Sequence, residues 1–182
     1  QRQMCIRDSL TTEYEVKGIK EAKSGTTLAG KNVNSYLNRL RKLNFVNTKI
    51  DAVVIQLSTN DARFGYEIGE MSQSFDLESF DTETTLGAIE YIIKYVHTKW
   101  HCPIIFYTCI RENDLTYKQL VNHLYPLKTK WDIHIIDIFN NDEINKLAES
   151  DKEMMADDSH PTKKGYRYLY TPILVKQLDE IL

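Results

Sequence analysis

Four apolar runs alternate along this chain with four amphipathic helical stretches, which is the pattern of a parallel sheet wrapped on both faces. A strand covered on both faces reads as a near-continuous apolar run rather than an alternating one. Ile50–Ser58 (IDAVVIQLS) and Pro103–Cys109 (PIIFYTC) read this way, and IHIIDIF over 133–139 follows them. Tyr14–Ala22 is a weaker strand, with Val16 and Ile19, and it leads into SGTT. Thr26 or Thr27 then caps a helix whose stripe is Leu28, Val33, Tyr36, Leu37, Leu40 and Leu43. A second helix spans about 82–100, with Leu86, Ile89, Ile93, Val96 and Trp100 on one face, and a third spans 115–131 on Leu120, Leu124 and Leu127. The last runs from near Thr162 to the C-terminus, with a kink expected at Pro172. Residues 61–80 form a long polar loop with Gly65 and Gly69, a length usual for functional or mobile segments.

At 182 residues the chain suffices for one domain with a sizeable core. Its net charge of -3, without any basic stripe, argues against a nucleic-acid partner. No apolar stretch approaches a membrane span, so no membrane partner is expected. Cys5, Cys102 and Cys109 show no metal-type spacing, and their odd number suggests reduced thiols and a cytoplasmic location.

The opening QRQMCIRDS matches, in one reading frame, the translation of a transposon adapter used in preparing sequencing libraries. Residues 1–9 are therefore read as foreign, and 10–182 as the natural domain. The distinction matters because RDSLT imitates a nucleophile motif. A three-layer fold of this kind opens with a buried strand and a helix before Tyr14, and these are expected to be missing here.

In an open parallel sheet, functional groups gather beyond the carboxyl ends of the strands. Three clusters fall there: Ser24-Gly25-Thr26, Ser58-Thr59-Asn60-Asp61 and Asp157-Asp158-Ser159-His160-Pro161. Singly, each has an ordinary reading. Gly25 suits a tight turn, Asn60-Asp61 a turn with a helix cap, and His160 a surface loop. Together and in this order they resemble the SGNH hydrolases, also called GDSL esterases and lipases. The resemblance covers Leu10 to the C-terminus, and its most specific piece is DxxHP at Asp157–Pro161. Ser58 stands where that family usually has glycine.

The resemblance implies a three-layer α/β/α, flavodoxin-like parallel sheet and a serine esterase acting on small or carbohydrate-linked esters, acetyl groups among them. It implies no metal and no organic cofactor, with a small-molecule ester as the partner. His160 would be the general base and Asp157 would fix its tautomer. The Gly25 N–H and the Asn60 side-chain amide would be oxyanion donors, so Gly25, Asn60 and His160 should converge at the carboxyl edge of the sheet. Ser9 is a decoy on this reading. Only Leu10–Glu13 separate it from Tyr14, while a parallel crossover needs about a dozen residues or more. Ser24 and Ser58 sit where the oxyanion donors belong, so the nucleophile is expected upstream and the chain as given inactive. Arg111 is open to a substrate contact or to an ordinary surface role. Two rivals are weighed. One is a non-catalytic ligand- or carbohydrate-binding module on the same fold. The other is a phosphoacceptor or nucleotide-binding domain, which would want an acidic pair or a glycine-rich loop that is not seen.

Overall fold

A computed structural model describes residues 17–30, 32–43, 49–111 and 113–182. These fall into two compact units. The larger comprises Lys23–Tyr107 and Asp114–Ile135; the smaller comprises Thr108–Asn113 and Ile136–Leu182 with residues 17–22.

The sheet follows from the apolar runs. Strands β1 (Val53–Gln56), β2 (Ile104–Tyr107) and β3 (His134–Ile136) lie in the order β1-β2-β3, parallel and flanked by helices. β1 and β2 pair from Val53↔Ile104 to Gln56↔Tyr107. Central β2 is covered on both faces, and Ile104, Ile105 and Phe106 are fully buried. β1 departs from the all-buried reading of its apolar run. It lies at one end of the strand order, with Ile55 and Leu57 buried but Val54 exposed.

In the larger unit, α1 (Tyr36–Leu40) and α2 (Thr59–Arg63) are short, while α3 (Thr85–Trp100) and α4 (Leu115–Trp131) are long. α3 buries Leu86, Ile89, Ile93 and Val96, each side chain contributing roughly 1.5–3 kcal/mol of apolar transfer; Trp100 is only half-buried. Asp114 caps α4 by accepting from the Thr116 and Tyr117 amides at 2.8 and 3.0 Å. Both long helices end on a left-handed residue, His101 and Asp132. Pro126 sits inside α4 on its exposed side.

The loop before α3 is anchored at several points. The Glu90 side chain, completely buried, accepts from Ser72 N, Lys130 Nζ and Trp131 Nε1 at 2.7, 2.6 and 3.0 Å. Lys130 Nζ also donates to the Ser72 and Ser74 carbonyls. It lies 4.9 and 5.0 Å from the ring centroids of Phe75 and Trp131.

Two expectations at the start of the chain are corrected. Of the strand placed at 14–22, residues 17–22 are irregular and largely exposed, and 14–16 lie outside the described residues. The first helix begins at Tyr36 rather than after Thr27. The Thr26 and Thr27 hydroxyls donate to the Lys23 and Ala29 carbonyls instead of capping a helix, and Ser35 is the N-cap. Val33, placed on the apolar stripe, is 66% exposed.

In the smaller unit, α5 (Asp142–Ser150) is a helix that the apolar pattern did not suggest. Its buried Asn145 donates to the Ile138, Phe139 and Asn141 carbonyls and accepts from Arg111 N. α6 (Lys163–Gly165), a π-helical turn (Tyr166–Tyr170) and α7 (Thr171–Ile181) make the terminal helix. The irregular turn immediately precedes Pro172, where the missing N–H interrupts regular hydrogen bonding.

Candidate active site

Two clusters of expected site residues are formed, one in each unit. In the larger unit, Gly25 is exposed with φ of +71°, a left-handed conformation. A Cβ there would meet nothing within 4 Å, so the backbone conformation alone calls for glycine. The next carbonyl, Thr26 O, accepts from Asn60 Nδ2 at 3.0 Å and from Ser58 Oγ at 3.3 Å. Asn60 is thus hydrogen-bonded to the residue that follows Gly25. Ser58 also caps α2, its Oγ accepting from Asn60 N at 3.2 Å.

Asp61 supports that cluster, and the sequence reading missed it. Its side chain is fully buried and accepts from Leu28 N at 2.8 Å, Ala29 N at 2.9 Å and Thr85 Oγ1 at 3.2 Å. One carboxylate therefore ties the 26–30 loop to the start of α3. Burial pushes its pKa up; the amides of Ala29 and Leu28 pull the other way. Burial, and then the charge of Asp61, raise the nearby Tyr36 phenol to about 12. The only sequence signal at Asp61 was its place after Asn60, which equally fits a helix cap.

In the smaller unit, Asp157 and His160 meet within one turn. His160 Nδ1 lies 2.8 and 2.9 Å from the two Asp157 carboxylate oxygens. Asp157 Oδ1 also accepts from Ser159 N and His160 N, both at 2.9 Å. The Ser159 amide, and then the His160 contacts, hold the Asp157 carboxyl below its ordinary range. An ionised carboxylate only accepts, so in the neutral ring the proton sits on Nδ1 and the lone pair on Nε2.

Arg111 has local work. Its Nη2 pairs with Asp142 Oδ1 at 2.6 Å and its Nε donates to Phe139 O at 3.2 Å. Ser9 lies outside the described residues. Among the described residues, no group of three or more His, Cys, Asp or Glu side chains is placed to hold a metal ion, and no helix is long and apolar enough to cross a membrane.

No family model matches this chain. No curated protein matches it either. Solved structures do. A protein from Lactobacillus plantarum superposes with a TM-score of 0.75 at 16% identity, over 97% of this chain and 88% of that one. A Bacteroides ovatus protein named as a GDSL-like lipase by assignment gives 0.60 at 17%, over 86% and 68%. A Bacteroides uniformis protein named in the same way gives 0.63 at 14%, over 86% and 67%. Identities this low speak to architecture alone. The chain has the parallel α/β fold of the SGNH, or GDSL-type, hydrolases.

Proposed function

We propose that the parent of this chain is a serine ester hydrolase acting on small or carbohydrate-linked esters, acetyl esters among them. The observation that carries this reading is the Asp157–His160 contact, which commits Nδ1 to the carboxylate and leaves Nε2 as a base. A serine Oγ attacks the ester carbonyl carbon while its proton passes to His160 Nε2. The carbonyl oxygen becomes an oxyanion, and the Gly25 N–H and Asn60 Nδ2 donate to it. Collapse expels the alcohol, which takes the proton from His160. Water, deprotonated by the same nitrogen, then releases the acid and restores the serine. Asp157 steadies the imidazolium formed in each half-reaction.

The nucleophile, on this reading, is a serine encoded upstream of Leu10 in the natural gene, and Ser9 plays no part. Ser58 is a poor alternative, because its hydroxyl is buried and engaged with Thr26 O and the Asn60 amide. The test compares hydrolysis of a short-chain aryl ester by the product of the uninterrupted gene, by its His160→Ala variant, and by the present chain with and without Ser9→Ala. Turnover is expected in the first alone. Turnover by the present chain that disappears with Ser9→Ala would overturn the assignment of the nucleophile. Full activity in His160→Ala would overturn the mechanism.

A further inference from the structure

We propose that Gly165, with Thr162, is a positioning residue for the Asp157–His160 pair; the proposal rests on reading that pair as the catalytic base and its partner. The sequence holds two Thr-x-x-Gly segments that open helices, Thr84–Gly87 at α3 and Thr162–Gly165 at α6. They are built alike. Each threonine hydroxyl accepts from its glycine amide, at 3.3 Å for Gly87 and 3.2 Å for Gly165. Each also donates to a carbonyl upstream of its helix. Thr84 Oγ1 reaches Asp81 O at 2.9 Å; Thr162 Oγ1 reaches Glu153 O at 2.5 Å, with Met154 O a second acceptor at 3.2 Å.

The glycine completes the device through what it lacks. A Cβ on Gly87 would lie 2.0 Å from Asp81 O, and one on Gly165 would lie 2.0 Å from Met154 O. Gly165 has helical torsions, φ of -61°, so any residue could adopt its conformation. Glycine is needed there because the Met154 carbonyl, with Pro161 Cβ 3.0 Å from the same point, occupies the place of a side chain.

That carbonyl stands at the neck of the loop bearing the pair. Met154 O accepts Thr162 N at 2.9 Å, Met155 bridges Pro161, and Ala156 N donates to His160 O at 2.7 Å. The side chains of Asp157 and His160 are 60% and 46% exposed, so surrounding packing does little to hold them. The bridged neck supplies the order that packing does not. Displacing Met154 O opens the Ala156–His160 bond and lets the imidazole leave the carboxylate.

The test reads ring 15N shifts of His160 in the labelled full chain with the imidazole neutral, the resonance being assigned with His160→Gln. Wild type is expected to show a protonated Nδ1 and an unprotonated Nε2. Gly165→Ala should move the Nε2 resonance most of the way to the protonated position, as should Thr162→Val. Thr162→Ser, which restores the hydroxyl, should keep the wild-type pattern. Gly87→Ala is the matched control, with the same clash in the other unit, and should leave His160 unchanged. Wild-type shifts in a folded Gly165→Ala or in Thr162→Val would overturn the proposal, and so would an equal change in Gly87→Ala. Should Gly165→Ala fail to fold, the Thr162 pair decides, since valine adds no bulk. No turnover is measured, so a failure of the esterase reading would show separately.

Discussion

Replacing Lys130 by methionine should destabilise the larger unit by about 3 kcal/mol, several times the effect of breaking a surface pair. The figure comes from the burial of both partners. Glu90 is completely buried and Lys130 is 10% exposed, with 2.6 Å between Nζ and Oε1. Removing one member of a buried pair typically costs roughly 3–5 kcal/mol, because the other charge is left without compensation. Glu90 would keep two donors, Ser72 N and Trp131 Nε1, which places the estimate at the low end. The Ser72 and Ser74 carbonyls would lose the lysine as well, and so would the aromatic faces of Phe75 and Trp131. Urea unfolding followed by tryptophan fluorescence is well suited to the measurement, since both tryptophans, Trp100 and Trp131, belong to the larger unit. A loss under about 1 kcal/mol, the size typical of exposed pairs, would refute the claim that this ion pair anchors the loop.

Three further outcomes follow from the same geometry. Gly25→Ala should cost only about 1–2 kcal/mol, the strain of a left-handed alanine, whereas Gly87→Ala must displace the Asp81 backbone and should cost more; thermal unfolding of the two variants compares them. Asp61 titrates above its ordinary value of 3.8 because it is buried, so its contribution to stability is present below that value and lost as pH rises through the raised one; Asp61→Asn should therefore gain on wild type as pH increases through this window in a denaturation series. In the product of the uninterrupted gene, Asn60→Ala should lower kcat about a hundredfold or more with the His160 ring shifts unchanged.

The long elements were legible because their signals are local. Asp114 caps α4 where the apolar spacing begins, Asp132 ends it, and the observed bounds are those read from the sequence. Central β2 fell within its all-apolar run. The first helix starts later than the apolar pattern suggests because Thr26 and Thr27 spend their hydroxyls on carbonyls three and two residues away, a local alternative to capping that residue type alone does not reveal. α5 was missed although Asn141, with Asp142 and Glu143 after it, spells a capped acidic first turn. Its only strongly buried side chains, Asn145 and Ala148, leave little apolar pattern to read. In the site, the Asp157–His160 contact spans three residues and a DxxH spacing suggests it. Asp61 draws its partners from residues 28, 29 and 85, so nothing local marked it as buried. The two helix-opening Thr-x-x-Gly segments are visible in the sequence, yet only the fold brings a carbonyl into the place of each missing Cβ.

On the proposed reading, His160, oriented by Asp157, activates a serine other than Ser9. Mass mapping after exposure to an alkyl fluorophosphonate tests it most directly, because that reagent phosphonylates an activated serine oxygen and releases fluoride. Applied to the product of the uninterrupted gene, it should label one serine upstream of Leu10, and His160→Ala should abolish the labelling. A label on Ser9, or a label that persists without His160, would contradict the account.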